Sequence, residues 1–359
     1  LAFRPLHPRL REALYWAPDP ATDRRNLAVA ALGMMVPVMA GLASGRLETG
    51  FTIGLGAMLL SETPSAPGAI ATERPSPLSA IAPAALAVTV ATLICGGVWT
   101  DPALVLLAGA AAAVSGYSRP VGVAAIRFII YLVLSVTVLQ SAGDHRSAAA
   151  LIFGLGALWN VVIRRLLIMP GAEAKPVEPP GRQPTPAQRR AYWRRSLRTL
   201  NGWQFPIRIV AGLGVASVLR QLWPSHHFGW IVLTVALLTQ RPIEHIPLKT
   251  IQRGLGTVLG VALTWAVVIW VTSPVLLAVA ICVLAIAASV ARSRNYLVYA
   301  AISTPVILLV LDFGKPVQTS LLTDRLIATA LGAALVTAAN FVLDWSLKRS
   351  VGQASKAAG

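Results

Sequence analysis

Long uncharged stretches, separated by short charged or proline-containing breaks, dominate this chain. From Leu255 to Ala291 there is no Asp, Glu, Lys, Arg or His across 37 residues. About 20 apolar residues cross a hydrocarbon core, so this run holds two crossings with Ser273-Pro274 as the turn between them. The same pattern along the chain predicts twelve helices, at about 26–45, 47–61, 77–99, 102–118, 120–141, 146–168, 204–222, 227–241, 248–271, 274–291, 295–312 and 322–346. Between the sixth and the seventh, residues 169–203 break the hydrophobic pattern with Pro179-Pro180, Pro184-Thr-Pro186 and the basic run Arg189-Arg190-Ala-Tyr-Trp-Arg194-Arg195.

The expected organisation is therefore a basic N-terminal segment (1–25), a first six-helix unit (26–168), a proline-rich and basic linker (169–203), a second six-helix unit (204–346) and a short tail (347–359). Leu10, Leu14, Tyr15 and Trp16, among the opening residues, suit a short helix lying in the membrane interface. The second part of the linker is expected to lie on anionic lipid headgroups.

Composition agrees: 55% of the residues are hydrophobic, 13% are charged and the mean hydropathy is +0.67. A soluble domain carries about 25% charged residues, so the expected class is an all-α polytopic membrane protein. The net charge of +17 raises the question of nucleic acid. Once the crossings are assigned, however, all 31 Lys and Arg residues but Arg46, Arg146, Arg220, Lys315 and Arg325 fall on one side. That segregation follows the positive-inside rule, puts both termini in the cytoplasm and leaves no need for a nucleic acid partner. Cys95 and Cys282 both fall within predicted crossings, have no metal-ligand spacing and read as packing residues. No metal or cofactor is expected.

The two halves look related. Pro77-Leu-Ser-Ala-Ile81 parallels Pro247-Leu-Lys-Thr-Ile251, and Trp99 parallels Trp270. Gly50-Phe51 parallels Gly229-Trp230, Arg146 and Asn160 parallel Arg325 and Asn340, and Arg25 parallels Arg208, with the order kept throughout. Each half has an even number of crossings, so the repeats are expected to have parallel topology about an axis along the membrane normal. Gly-Leu-Gly recurs at Gly54, Gly154, Gly212 and Gly254, where it reads as close helix packing rather than a dinucleotide site, for want of a strand and an acidic partner.

His227-Phe-Gly-Trp230 through Gln240, followed by Thr250-Ile-Gln-Arg253-Gly-Leu-Gly256-Thr257-Val-Leu-Gly260, resembles the fusaric acid resistance and aromatic acid exporter family. Arg294-Asn295-Tyr296, Thr304-Pro305 and Asp324-Arg325 through Gly332 look like later signatures of that family. The resemblance covers the second half well and the first half through Arg25, Gly50 to Leu60 and Arg146. It implies an exporter of organic anions in the bacterial inner membrane, related to aluminium-activated malate channels, in which two six-helix units line one anion pathway. Two departures stand out. The linker is short where many relatives carry large cytoplasmic domains, and Pro83 stands where the repeat puts Arg253.

Buried cations support the same chemistry independently. Arg253 is a permanent charge just inside a crossing, and such a residue either snorkels to the headgroups or faces a wet interior. Arg127 lies eight residues beyond Arg119, roughly 12 Å along the helix and beyond comfortable snorkelling. A guanidinium can clasp a carboxylate with two parallel hydrogen bonds, so Arg127 from one half and Arg253 from the other are candidates to hold an anion between the repeats. Trp230, Tyr296, Tyr299, Thr257 and Asn295 are candidate contacts for an aromatic solute.

Proton coupling would need a titratable group, and the candidates are Glu62, His226, His227, Asp312, Asp324 and Asp344, with Asp324 and Arg325 expected to pair at a helix start. No nucleophile, zinc-binding or phosphate-binding motif points to an enzyme. An uncoupled anion channel and an envelope-assembly scaffold stay open. The expected partners are a small organic anion and membrane lipids, and either a monomer or a homo-oligomer fits.

Overall fold

The computed structural model describes residues 14–16, 24–61, 77–141, 145–167, 185–224, 226, 228–239, 246–271, 273–311 and 319–357. Among them the secondary structure is all helical. The first half holds α1 (Arg24–Ala43), α2 (Leu47–Ser61), α3 (Pro77–Ile94), α4 (Thr100–Val114), α5 (Arg119–Ser141) and α6 (Arg146–Leu167). Then come α7 (Pro186–Ser196), α8 (Leu200–Leu222), α9 (Gly229–Leu238), α10 (Ile246–Trp270), α11 (Pro274–Arg294), α12 (Tyr296–Leu311) and α13 (Thr319–Ala357). Each hydrophobic segment picked out by the sequence is a helix. The stretches Arg119–Gln140, Arg146–Leu167, Gly202–Leu222, Pro247–Trp270, Pro274–Arg292 and Ser320–Leu343 are long and apolar enough to cross a membrane by themselves. The protein is thus a multi-pass membrane protein. Other apolar helices are shorter, and α9, with ten residues, spans about 15 Å, half a hydrocarbon core.

Three elements differ from expectation. The linker contains α7, which starts in a capping box: Thr185 Oγ1 accepts from the Gln188 amide, and the Gln188 side chain accepts from the Thr185 amide. Trp193 anchors α7 by donating its indole N–H to the Ala113 carbonyl at 3.0 Å, with the Tyr117 ring edge-on at 6.1 Å. Second, α13 continues through the expected tail to Ala357, because residues 347–357 contain no proline and mostly good helix formers. Third, of the expected N-terminal interfacial helix only residues 14–16 are described. There the Tyr15 carbonyl accepts from Asn295 Nδ2 at 3.0 Å, and the Trp16 ring lies 5.5 Å beneath the Arg294 guanidinium.

Helix packing follows the same scheme in both halves. In the first, α1 packs on α2 and both pack on α6, while α3 packs on α5 and α6, and α4 on α5. In the second, α8 packs on α9 and both pack on α13, while α10 packs on α12 and α13, and α11 on α12. Between the halves, α4 meets α8 and α11 meets α1, and further in α5 meets α9 and α12 meets α2. The seam is pinned at one end by Arg220, which pairs with Asp101 and donates to Gln140 Oε1 at 2.7 Å. Gln221 donates to the second Asp101 oxygen at 2.8 Å.

Glycines at 256 and 260 explain the extensive α10–α12 contact. A Cβ on Gly256 would lie 2.7 Å from the Leu297 carbonyl oxygen, and one on Gly260 would lie 2.7 Å from Thr304 Cβ. Only a bare Cα lets these backbones approach so closely. Gly254 meets nothing within 4 Å, so close packing does not explain that member of the recurring Gly-Leu-Gly. Cys282 is buried and Cys95 half-buried, both as free thiols.

Candidate functional site

Neighbours on a helix point about 100° apart, which decides what Asp324 and Arg325 can do. The ion pair expected between them does not form. Asp324, itself buried on α13, accepts from His226 Nδ1 at 2.8 Å. The His226 ring stacks on Phe228, with centroids 5.0 Å apart and planes at 17°. Arg325 turns inward, is fully buried, and places its guanidinium carbon 4.0 Å from the Trp230 ring centroid. Trp230 sits in the first turn of α9, and the α9–α13 contact brings the two together.

Arg253 and Arg325 are the two largest fully buried side chains among the described residues, at 2% and 0% exposure. Among the described residues, Nε, Nη1 and Nη2 of Arg325 and Nε and Nη2 of Arg253 have no hydrogen-bond partner. The two groups are also close enough for their like charges to repel. Lys249, one helical turn before Arg253 and close enough to feel its charge, carries its ammonium 4.9 Å from the Tyr296 ring centroid. Tyr296 in turn packs against Tyr299 at 5.8 Å. The second half thus holds two buried arginines and the half-buried Lys249, with Arg325 and Lys249 against aromatic faces. Buried charge of one sign costs several kcal/mol per ion unless something opposite in charge meets it, so the arrangement suits an anion.

The other candidates fall into different roles. Arg127 is buried on α5 with an unpartnered Nε, but the cations whose fields it feels are Arg164 and Arg292 rather than Arg253. The Thr257 hydroxyl is engaged on its own helix, donating to the Arg253 carbonyl at 2.8 Å. Asn295 caps α12, its Oδ1 accepting from the amides of Leu297 at 2.8 Å and Val298 at 3.2 Å. One face of Trp230 is covered by Arg325 and one face of Tyr296 by Lys249, so neither ring is bare toward an aromatic solute on both sides. Glu62, His227 and Asp312 lie outside the described residues.

Two contributions were missed by sequence reasoning. Lys249 could have been found, because a spacing of four from Arg253 puts both on one helix face. Arg208, buried on α8, donates from Nη1 to Asn340 Oδ1 at 3.0 Å and from Nε to the Gln204 carbonyl at 3.2 Å. Its signal was the parallel of Arg25 with Arg208 and of Asn160 with Asn340. The first half uses Asn160 differently: it donates to the Ala57 carbonyl and accepts from Arg164 Nε, each at 2.9 Å. Arg146, the counterpart of Arg325, lies against Gly96, whose φ of +115° and missing Cβ make room for the guanidinium.

Residues 214–339 match the family described as fusaric acid resistance protein-like. Over those residues, about a third of the chain, it is similar to that family. The fusaric acid resistance-like region runs from within α8 to within α13 and contains Trp230, Lys249, Arg253, Tyr296 and Arg325. Neither the curated proteins nor the solved structures that were searched gave a match.

Proposed function

We propose that this protein exports organic anions, aromatic or hydrophobic carboxylates, across the bacterial inner membrane along a path lined by buried arginines. The observation that carries the reading is the pair Arg253 and Arg325, which among the described residues are the two largest fully buried side chains and have guanidinium nitrogens without hydrogen-bond partners. A scaffold has no need of such a pair, and an enzyme would need a nucleophile or an acid–base cluster instead. The family match over residues 214–339 supports a membrane transporter in the broad sense.

In this proposal the chain crosses the membrane twelve times as two six-helix units of parallel topology, with both termini cytoplasmic. The recurring helix contacts support that duplication, as does the reciprocal seam in which α4 meets α8 and α11 meets α1. Arg127 belongs to the cytoplasmic approach with Arg164 and Arg292, while Lys249, Arg253 and Arg325 carry the anion through the second unit. Tyr296 and Tyr299 offer ring edges and faces beside it. His226 and Asp324 stand at the outer mouth and gate exit.

With a negative cytoplasm, an expelled monoanion gains roughly 2.3 kcal/mol per 100 mV, which suffices for outward flow without a coupling ion. The deciding measurement is efflux of an aromatic carboxylate from proteoliposomes under imposed voltage or imposed pH gradient. Arg253→Ala and Arg127→Ala are expected to cut the voltage-driven flux at least tenfold. Parent-like flux in both variants removes the arginine path. Flux that follows voltage and ignores the pH gradient supports the channel form, and flux that requires the gradient supports proton exchange.

A further inference from the structure

Buried threonines in the helices of this protein commonly satisfy their hydroxyls on the backbone one turn back. Thr257 donates to the Arg253 carbonyl and Thr264 to the Gly260 carbonyl, each at 2.8 Å, Thr304 to Ala300 at 2.7 Å and Thr329 to Arg325 at 2.9 Å. The buried hydroxyls of Ser135, Ser217, Thr234 and Ser303 instead have no hydrogen-bond partner among the described residues. A hydroxyl taken out of water and left unmet costs free energy, so such a group calls for a water or a ligand.

Thr234 lies on the interface that holds Arg325. It is 0% exposed and stands four residues after Trp230, so the two share one face of α9, about 6 Å apart along its axis. On α13, Gly332 stands seven residues after Arg325, two turns on and on the same face. The two helices meet at both levels. The Arg325 guanidinium carbon is 4.0 Å from the Trp230 ring centroid, and a Cβ on Gly332 would lie 2.8 Å from both Cβ and Cγ2 of Thr234. Nε, Nη1 and Nη2 of Arg325 have no hydrogen-bond partner among the described residues either. A water would meet the hydroxyl and leave the charge unanswered. A carboxylate does both, because its two oxygens carry lone pairs for the guanidinium fork and keep others for a hydroxyl.

We infer that Thr234 is a further binding residue of the Arg325 site, donating its hydroxyl to the carboxylate that the guanidinium clasps. A neutral donor adds to the hold on the anion without adding another buried charge. The inference rests on the reading of Arg325 as part of the anion path and names the residue that makes this part of the path a carboxylate site.

The test compares the full chain with Thr234→Val, which keeps the volume packed against Gly332 and removes the hydroxyl, and with Thr234→Ser, which keeps the hydroxyl. The probe is benzoate, with benzamide as its uncharged counterpart, read by melting in detergent and by efflux from proteoliposomes. Benzoate should raise the melting temperature of the parent and of Thr234→Ser, and benzamide should not. Without benzoate, Thr234→Val should melt at or above the parent, because the unmet hydroxyl is gone. Its half-saturating benzoate concentration should rise about tenfold, the factor that a hydrogen bond to a charged group carries, with maximal flux kept. A half-saturating concentration equal to the parent's overturns the inference, as does an equal rise in Thr234→Ser or equal stabilisation by benzamide. Should Thr234→Val fail to fold, Thr234→Ala is read against Thr234→Ser with the same expectation. The two readings fail separately. Benzoate that binds the parent through the Thr234 hydroxyl but is not carried overturns export and leaves the contact standing. Benzoate flux that Thr234→Val leaves unaltered overturns the contact and leaves export standing. A parent that neither binds nor carries benzoate overturns both.

Discussion

Arg325 lies with its guanidinium carbon 4.0 Å from the ring centroid of Trp230, fully buried and with no hydrogen-bond partner among the described residues. A desolvated cation–π contact of this kind is worth about 2 kcal/mol, less than the cost of holding a guanidinium out of water. The residue is therefore retained against its own folding cost, which gives its replacement an unusual signature.

Arg325→Met keeps the length and removes the charge. Thermal stability in detergent should stay level or rise, while anion efflux falls at least tenfold. A buried cation with a protein counter-charge would behave oppositely, its loss costing about 3–5 kcal/mol. Parallel melting and flux measurements distinguish the two.

The glycines of α10 should respond in opposite directions to an added side chain. Gly256→Leu and Gly260→Leu drive a side chain into α12 and should cost about 1–3 kcal/mol or prevent folding. Gly254→Ala meets open space and should stabilise the helix by up to about 1 kcal/mol. Melting midpoints of the three variants check the contrast.

Asp101→Ala strips Arg220 of its carboxylate at the seam between the halves. Asp101 is 7% exposed and its partner only slightly more open, so a loss of about 3 kcal/mol is expected. Asp101→Asn should cost less, since it keeps an acceptor for Gln221. Denaturation in detergent, with crosslinking between α4 and α8, reads both the energy and the place where the structure opens.

Asn295→Ala removes the cap of α12 and the contact with the Tyr15 carbonyl together. The expected cost is about 0.5–2 kcal/mol. Transport by the remaining folded protein should be unchanged, because the amide group is engaged with backbone rather than turned to a solute. A flux defect exceeding the loss of folded protein would return Asn295 to the path.

Much of this was legible in the chain itself. Uncharged runs located the hydrophobic helices, since a bilayer imposes a length and a polarity rule on every segment separately. The repeat parallels of Arg25 with Arg208 and of Asn160 with Asn340 pointed to positions in matching helices. They could not say that Arg208 reaches Asn340 while Asn160 reaches the Ala57 carbonyl. Helix α7 was hidden because its composition, proline-flanked and rich in arginine, reads as a linker until the capping box and the Trp193 anchor are in view. Residues 322–346 marked a crossing without marking where α13 ends, because the charged residues beyond it end the apolar run without a proline to end the helix.

Sequence by itself determined that this is a helical membrane protein and that arginines enter its apolar segments, for each of these follows from local composition against a uniform solvent. Which cations share an interior was decided only by tertiary structure. Arg127 and Arg253 both read as cations inside apolar segments, yet α5 packs on α3, α4 and α6 while α10 packs on α12 and α13, which gives the two arginines different surroundings. Asp324 and Arg325 are adjacent in sequence and diverge because neighbours on a helix point about 100° apart. A helix face acquires its neighbours from non-local packing, and charge interacts across space rather than along the chain.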